Sequence, residues 1–276
     1  MRAIVSGVSE RRGCRVLQVA RATLHYQRRA RAVLPWSAPP WVSELQGLLQ
    51  QHPTFGYRRL WALLRYQLSF VVNHKAVYRV LRQKQWLVHQ RPTTPRPRAR
   101  GLVSRARRSN ERWAMDVTHI PCGRDGWGHL VAVIDCHDRE LIGYEFALRG
   151  RAKEAERALE AACLARFGTL RPAAAPILRS DNGLIFQSRR FRQACQDYRL
   201  PQEFITPYTP EQNGMIERFF RSLKEECVWQ HQFLTFEEAR QRIRTWLAWY
   251  NHGRPHQALK YRSPAQFRAQ QSTEVA

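Results

Sequence analysis

Three acids stand where carboxylates are chemically informative. Asp116 lies midway along Trp113-Ala114-Met115-Asp116-Val117-Thr118, among apolar neighbours, where a carboxylate is costly unless paired or bound to a metal. Asp181 ends the short run Leu178-Arg179-Ser180 and precedes Asn182-Gly183; strand ends in mixed sheets are where ligands are held. Glu217 follows Asp181 after 35 intervening residues, in the first turn of a helix. On that helix Ile216, Phe220, Leu223 and Cys227 fall on one stripe and are expected inside. Glu217, Arg221 and Lys224, spaced i, i+4 and i+7, share the neighbouring face. That face offers one carboxylate for a metal and two cations for phosphate, a set suited to phosphoryl transfer on a nucleic acid.

The elements that must position these residues are legible from residue 113 onward. Residues 113–121 alternate as a strand, 122–128 carry three Gly and turn, and 130–135 and 141–148 read as the second and third strands. A helix is expected over 153–167 with Ala155, Ala158, Leu159, Ala162 and Cys163 inward. A short buried strand at 177–180, a helix at 188–198, a strand at 203–205 and helices at 215–228 and 236–250 complete the series. Three antiparallel strands followed by alternating helix and strand predict an α/β fold, a mixed sheet flanked by helices.

The front of the chain reads differently, as short helices. Ser9 is placed to cap a helix over 10–17, and 21–27 continues helically, the outline of a helix-turn-helix with Arg21, Thr23, His25 and Gln27 toward DNA. Residues 41–50 are amphipathic. His52-Pro53-Thr54-Phe55-Gly56-Tyr57-Arg58-Arg59 breaks that helix and starts another, with Leu60, Trp61, Leu63 and Leu64 on its core face. Asn73 caps a further helix through Leu81, with Val77, Val80 and Leu81 inward and Lys75, Arg79 and Arg82 outward. Residues 91–108 are Arg-rich, contain three Pro and hold almost nothing apolar, so they are expected to be a flexible basic linker. The predicted division is a helical DNA-binding arm at 1–90, a linker at 91–110 and a catalytic core with C-terminal helices at 111–276.

Charge supports the same division of labour. The 276 residues carry 46 Lys and Arg against 22 Asp and Glu, a formal charge of +24. Residues 1–112 contribute +20 of this and residues 113–276 only +4, so one half is built to grip phosphates while the other holds nearly all the acids. No apolar run is long enough for a membrane span, and no secretory h-region opens the chain. Six scattered Cys without a C-x-x-C pair fit free thiols in a reducing cytoplasm and exclude zinc-site spacing.

The acids, taken with their surroundings, resemble a family. Asp116, Asp181 and Glu217 are similar to the acidic triad of integrase-type DDE transposases. The strand 113–120, the Ser180-Asp181-Asn182-Gly183 corner, Tyr208-Thr209-Pro210-Glu211-Gln212-Asn213-Gly214 before Glu217, and Lys224 seven residues after it all match that pattern. Tyr250-Asn251-His252-Gly253-Arg254-Pro255-His256-Gln257-Ala258-Leu259 with Ser263-Pro264 resembles the insertion-sequence branch, as does Pro53-Thr54-Phe55-Gly56-Tyr57-Arg58-Arg59.

The resemblance implies a ribonuclease-H-like core in which the three carboxylates hold two Mg²⁺ or Mn²⁺ ions. Water then cleaves a phosphodiester at the element's end, and the freed 3′-hydroxyl attacks target DNA. It implies double-stranded DNA as partner, self-association on DNA, an upstream frame product as a possible fusion partner, and a bacterial, nucleoid-associated cytoplasmic setting. Arg21, Arg58, Arg59, Lys75, Arg79, Arg221 and Lys224 are the expected DNA contacts. A silent DNA-binding regulator and a ribonuclease-H-type nuclease are the competing classes; the intact acids argue against the first and the basic arm against the second.

Other polar and aromatic residues carry plainer expectations. Asp135 and Asp138 read as turn or strand-end acids, Glu225 and Glu226 as solvated helix charges, and His119 and His129 as structural. Trp229, Trp246 and Trp249 read as core of the C-terminal helices. Asn182 and Asn213 are expected to shape turns or contact DNA. Packing and DNA contact stand equal for Arg254 and His256.

Overall fold

A computed structural model describes residues 9–26, 38–88 and 105–274. Its contacts group the chain into two units, residues 1–39 and 40–276. In the first, α1 (Glu10–Val16) and α2 (Arg21–Leu24) are short, and α2 stops before the expected end at 27, which lies outside the described residues. Ser9 occupies the N-cap position of α1 without a side-chain capping bond. Arg21 pairs with Glu10 at 3.5 Å and His25 with the same carboxylate at 2.8 Å, an exposed cluster on these two helices.

The second unit begins with three helices, α3 (Trp41–Gln51), α4 (Tyr57–Tyr66) and α5 (His74–Gln83). Gly56 leads α4 in with an extended backbone, and the Asn73 side chain accepts the Lys75 amide at 2.8 Å to cap α5. Leu60, Leu63 and Leu64 of α4 meet Val77, Val80 and Leu81 of α5 in one small core. Trp61 is half-buried at its edge, its indole N–H donating to the Val72 carbonyl at 2.7 Å.

The sheet follows. β1 (Arg112–Pro121), β2 (Trp127–Asp135) and β3 (Leu141–Ala147) form an antiparallel meander, and β4 (Ile177–Ser180) and β5 (Gln202–Phe204) add in parallel, giving the order β3-β2-β1-β4-β5. Strand alternation sorts β1 into two faces. Trp113 and Met115 pack with Ala155, Leu159 and Cys163 of α6 (Ala152–Phe167) on one side. Ala114 and Ile120 pack on the other against α9 (Gly214–Glu226) and α10 (Phe236–His252). Gly143 lets α6 close on β3: a Cβ there would come within 2.3 Å of the Ala158 carbonyl oxygen. Between β4 and β5 run α7 (Leu184–Gln187) and α8 (Arg189–Asp197), the latter capped by Ser188.

The C-terminal segment ties the layers together. Asn251, near the end of α10, both accepts the Leu141 amide at 2.9 Å and donates to its carbonyl at 2.8 Å, pairing with the start of the edge strand as another strand would. α11 (Pro264–Glu274), which the sequence reading did not anticipate, starts from a reciprocal cap between Ser263 and Gln266. Asp135 and Asp138 are strand-end and turn acids as expected, and both are fully buried. Asp138 takes Arg166 of α6 at 2.9 Å, and Asp135 accepts the Asn110 amide at 2.7 Å. Among the described residues no helix is long and apolar enough to cross a membrane.

Candidate active site

The register of two parallel strands brings the first two acids together. β1 pairs Ala114 with Arg179 of β4, and Asp116 and Asp181 each follow two residues further along, so the register sets Asp116, midway along β1, level with Asp181 just past the end of β4. Asp116 shares the parity of Ala114 and Ile120, the face covered by α9, and Glu217 lies in the first turn of that helix. Asp116, Asp181 and Glu217 accordingly line one cavity of about 470 Å³, with Asn213 and the exposed Tyr208. An adjoining cavity of about 650 Å³ is lined by Asp116, Thr118, Glu217, Arg221, Lys224 and Trp229. The helix face read from i, i+4, i+7 spacing thus opens onto the acid on β1.

Buried tethers hold the acids and the loop that carries Glu217. Asp181 accepts the Gly183 amide at 3.0 Å, and a Cβ on Gly183 would crowd that carboxylate oxygen at 2.9 Å. Asn182 donates to the Ile205 carbonyl at 2.8 Å, fixing the β4 corner against the segment after β5. Arg179, fully buried, donates to Glu203 at 2.7 Å and to the Gln212 carbonyl at 2.8 Å. Gln212 in turn accepts the Thr206 amide at 2.8 Å, and Asn213 donates to the Met115 carbonyl at 3.4 Å. Asn182 and Asn213 therefore shape turns, as expected. Arg179 and Gln212 were missed; their signal was a cation inside a buried strand and an amide just ahead of the helix start.

Electrostatics single out Asp116. Burial pushes its carboxyl up to about 7; the Val117 amide opposes the rise, Asp181 and Glu217 add to it, and Lys224 pulls it back. Repulsion among carboxylates is what a bound cation relieves, and the donors are all oxygen, as hard divalent ions require. Asn213 Oδ1, buried and accepting no hydrogen bond among the described residues, belongs to a residue lining the same cavity. By donor type, the residues present suit a divalent metal. Among the described residues no group of three or more His, Cys, Asp or Glu side chains stands close enough together to hold a metal ion.

The expected DNA contacts fall into groups. Lys224 is half-buried in the larger cavity, and Arg221 beside it is exposed but paired with Glu225 at 2.7 Å. Lys75 and Arg79 lie on the solvent face of α5, and Arg58 is exposed at the start of α4 with its guanidinium on the Tyr57 hydroxyl. Arg21 lies in the N-terminal unit, paired as described above. Arg59 is turned inward, onto Glu226 at 2.8 Å and over the Phe55 ring at 4.6 Å, so it has a protein partner where a phosphate was expected.

Three other readings are corrected. The Glu226 side chain is not a solvated helix charge; it is 6% exposed and binds Arg254 as well as Arg59. That pairing, with Arg254 and His256 buried, gives both a packing role. Trp229 is not core. Its side chain is 66% exposed and lines the cavity of Asp116 and Glu217, whereas Trp246 is buried and Trp249 half-buried. His119 and His129 face each other across β1 and β2 with ring centroids 4.7 Å apart, and neither lines the acid cavities.

Comparison with known proteins agrees with this geometry. Residues 106–210 match the family described as integrase core domain, residues 198–264 match a second family of the same description, and residues 43–92 match an HTH-like domain. An uncharacterized 39.2 kDa protein of insertion element IS476 from Xanthomonas euvesicatoria is 33% identical over 275 residues, covering 98% of this chain and 75% of that protein. The transposase InsD of insertion element IS2 from Escherichia coli is 29% identical over 272 residues, covering 94% of this chain and 90% of that one. Among solved structures, a chain of the simian T-cell lymphotropic virus intasome in complex with PP2A regulatory subunit B56 gamma superposes with a TM-score of 0.51 at 19% identity. It covers 81% of this chain and 73% of its own, a likeness of fold.

Proposed function

The chain belongs to the insertion-element transposases built on an integrase core, enzymes that cleave and transfer DNA strands, and from that premise we propose that Asp116, Asp181 and Glu217 are its catalytic acids. The observation that carries the proposal is the level placement of Asp116 and Asp181 on parallel neighbours with Glu217 opposite, all on one cavity. The integrase core implies a divalent metal. Two Mg²⁺ or Mn²⁺ ions, when bound, would activate the attacking oxygen and stabilise the leaving one.

The chain's own residues supply the rest. The three carboxylates set the position of the scissile phosphate by fixing where positive charge can sit. Lys224, in the cavity with Asp116 and Glu217, meets a phosphate oxygen of the same strand, and Arg221 adds a second cation at the rim. Trp229 on one side and Tyr208 on the other present exposed rings on which a base unstacked at the cleavage point can lie. Lys75 and Arg79 on α5, Arg58 before them, and Arg21 in the N-terminal unit hold the duplex through its backbone. This extends the division into a DNA-binding arm at 1–90, a basic connection at 91–110 and the core. Two element ends must be handled together, so the working form is a self-associated complex on DNA, with an upstream frame product as a fusion partner.

The test is end cleavage. A duplex carrying the element's terminus should be nicked to a free 3′-hydroxyl with Mg²⁺ or Mn²⁺, and Glu217→Gln should remove that activity. A parent chain that binds ends yet never cuts, alone or joined to the upstream frame and with either metal, would instead make it a silent DNA binder.

A further inference from the structure

A second cavity, of about 420 Å³, opens on another face of α9, away from the acids. Arg218, Phe219 and Ser222 of α9 line it, where Glu217, Arg221 and Lys224 line the first. Four guanidinium groups reach it, from Arg59, Arg139, Arg218 and Arg254, and no carboxylate is among its lining residues. Glu226, which hydrogen-bonds into this cluster, is taken by Arg59 and Arg254, and Glu225 acts on Arg254 through space.

The four cations are unequal. Arg254 is 6% exposed and commits its donors to Glu226, Ser222 and the His256 imidazole, so it forms a fixed wall. Arg139 and Arg218 have no ion pair among the described residues. Arg139 is half-buried at the β2–β3 turn; burial lowers its pKa, Tyr250 opposes this, and Arg105, Arg218 and Arg254 lower it further. Crowded cations in a partly desolvated pocket, with fork-shaped donors unspent, are matched by an anion with several oxygens. The Arg-Pro-His tail, whose role the sequence left open, builds the back of this pocket.

We propose that this pocket binds a phosphate group through Arg139 and Arg218 against the Arg254 wall, and that the DNA backbone supplies the phosphate. The inference does not depend on the catalytic acids, since none of them lines the pocket.

The test uses the full chain and the double variant Arg139→Gln/Arg218→Gln. Two quantities are read: the salt dependence of duplex DNA binding, and the melting temperature in inorganic phosphate against chloride at equal ionic strength. Loss of one phosphate contact should lower the salt slope by about one and weaken binding equally for all sequences. The phosphate-specific rise in melting temperature should shrink as well. Melting in chloride should not fall, because the variant removes repelling cations; a merely structural role would lower it. If phosphate stabilisation is lost but the salt slope is unchanged, the site stands and free phosphate is its ligand. A variant that keeps both the parent's slope and its phosphate response overturns the proposal. Should the double variant not fold, Arg218→Gln at the exposed mouth gives the same reading.

Discussion

Nothing in the packing requires Trp229 to stand in solvent. Its ring lies just after α9, beside Asp116, Glu217 and Lys224, and offers a flat apolar face at the cavity. Base–aromatic stacking contributes about 1–3 kcal/mol per base, so Trp229→Ala should weaken binding of cleavable ends by roughly 5–150-fold. Trp229→Phe should keep most of the affinity. Equal affinity for parent and Ala variant, measured by titration with end-bearing duplex, would remove the indole from the DNA path. The acids were readable because each is chemically out of place: one inside an apolar strand, one at a strand end, one at a helix start. Trp229 and Glu226 were not, because helical spacing tells which face a residue shares and not what faces it. Tryptophan in an apolar run reads as core until the neighbouring chain is seen.

At the level of elements, α9 is held from both sides. Ahead of it, Arg179 and Gln212 pin the loop that delivers Glu217; at its end, Glu226 gathers Arg59 from α4 and Arg254 from beyond α10. Removing one partner of a buried ion pair costs about 3–5 kcal/mol, because the charge left behind is uncompensated. Glu226→Ala should therefore destabilise the chain by that order in urea unfolding, and a change under 1 kcal/mol would mean that Arg59 and Arg254 find other partners. His256, against Arg254 and Tyr250, is buried, and its imidazole is held well below the ordinary histidine value, first by burial and then by Arg254. Unfolded, it takes a proton near pH 6.5; folded, it does not. Its contribution is thus complete above that pH and is lost as pH falls below it. His256→Gln should flatten the parent's stability loss between pH 7.5 and 5.5; an unchanged slope would assign that loss to other groups.

Element boundaries were legible wherever alternation or a cap marked them. Asn73 and the β1 alternation predicted α5 and the first strand closely. α11 was missed although Ser263-Pro264-Ala265-Gln266 carries a cap signature, because no clear apolar stripe follows it. The seating of α3 and α4 on α10, with His52 and Phe55 against Trp249 and the Gln67 amide on the Gly253 carbonyl, joins residues nearly 200 positions apart. No local pattern encodes such a contact.

At the scale of the whole molecule, charge and chemistry are separated along the chain. Residues 1–112 carry +20 while the acids cluster in the core, so affinity for duplex DNA should fall steeply with salt as condensed counterions are released. A log–log slope near zero between roughly 50 and 200 mM salt would show that the basic front half serves something other than a phosphate backbone. If DNA is cut in the cavity shared by Asp116, Asp181 and Glu217, as proposed, Asp181→Asn must show it. That substitution preserves the side chain's shape and removes one charge from the proposed metal site. Loss of an outer-shell partner costs about 10–100-fold in metal affinity or activity, and loss of a ligand should cost more. End cleavage should fall by at least about a hundredfold with DNA binding undiminished; an Asp181→Asn chain that cuts as fast as its parent would show that the cut is made elsewhere.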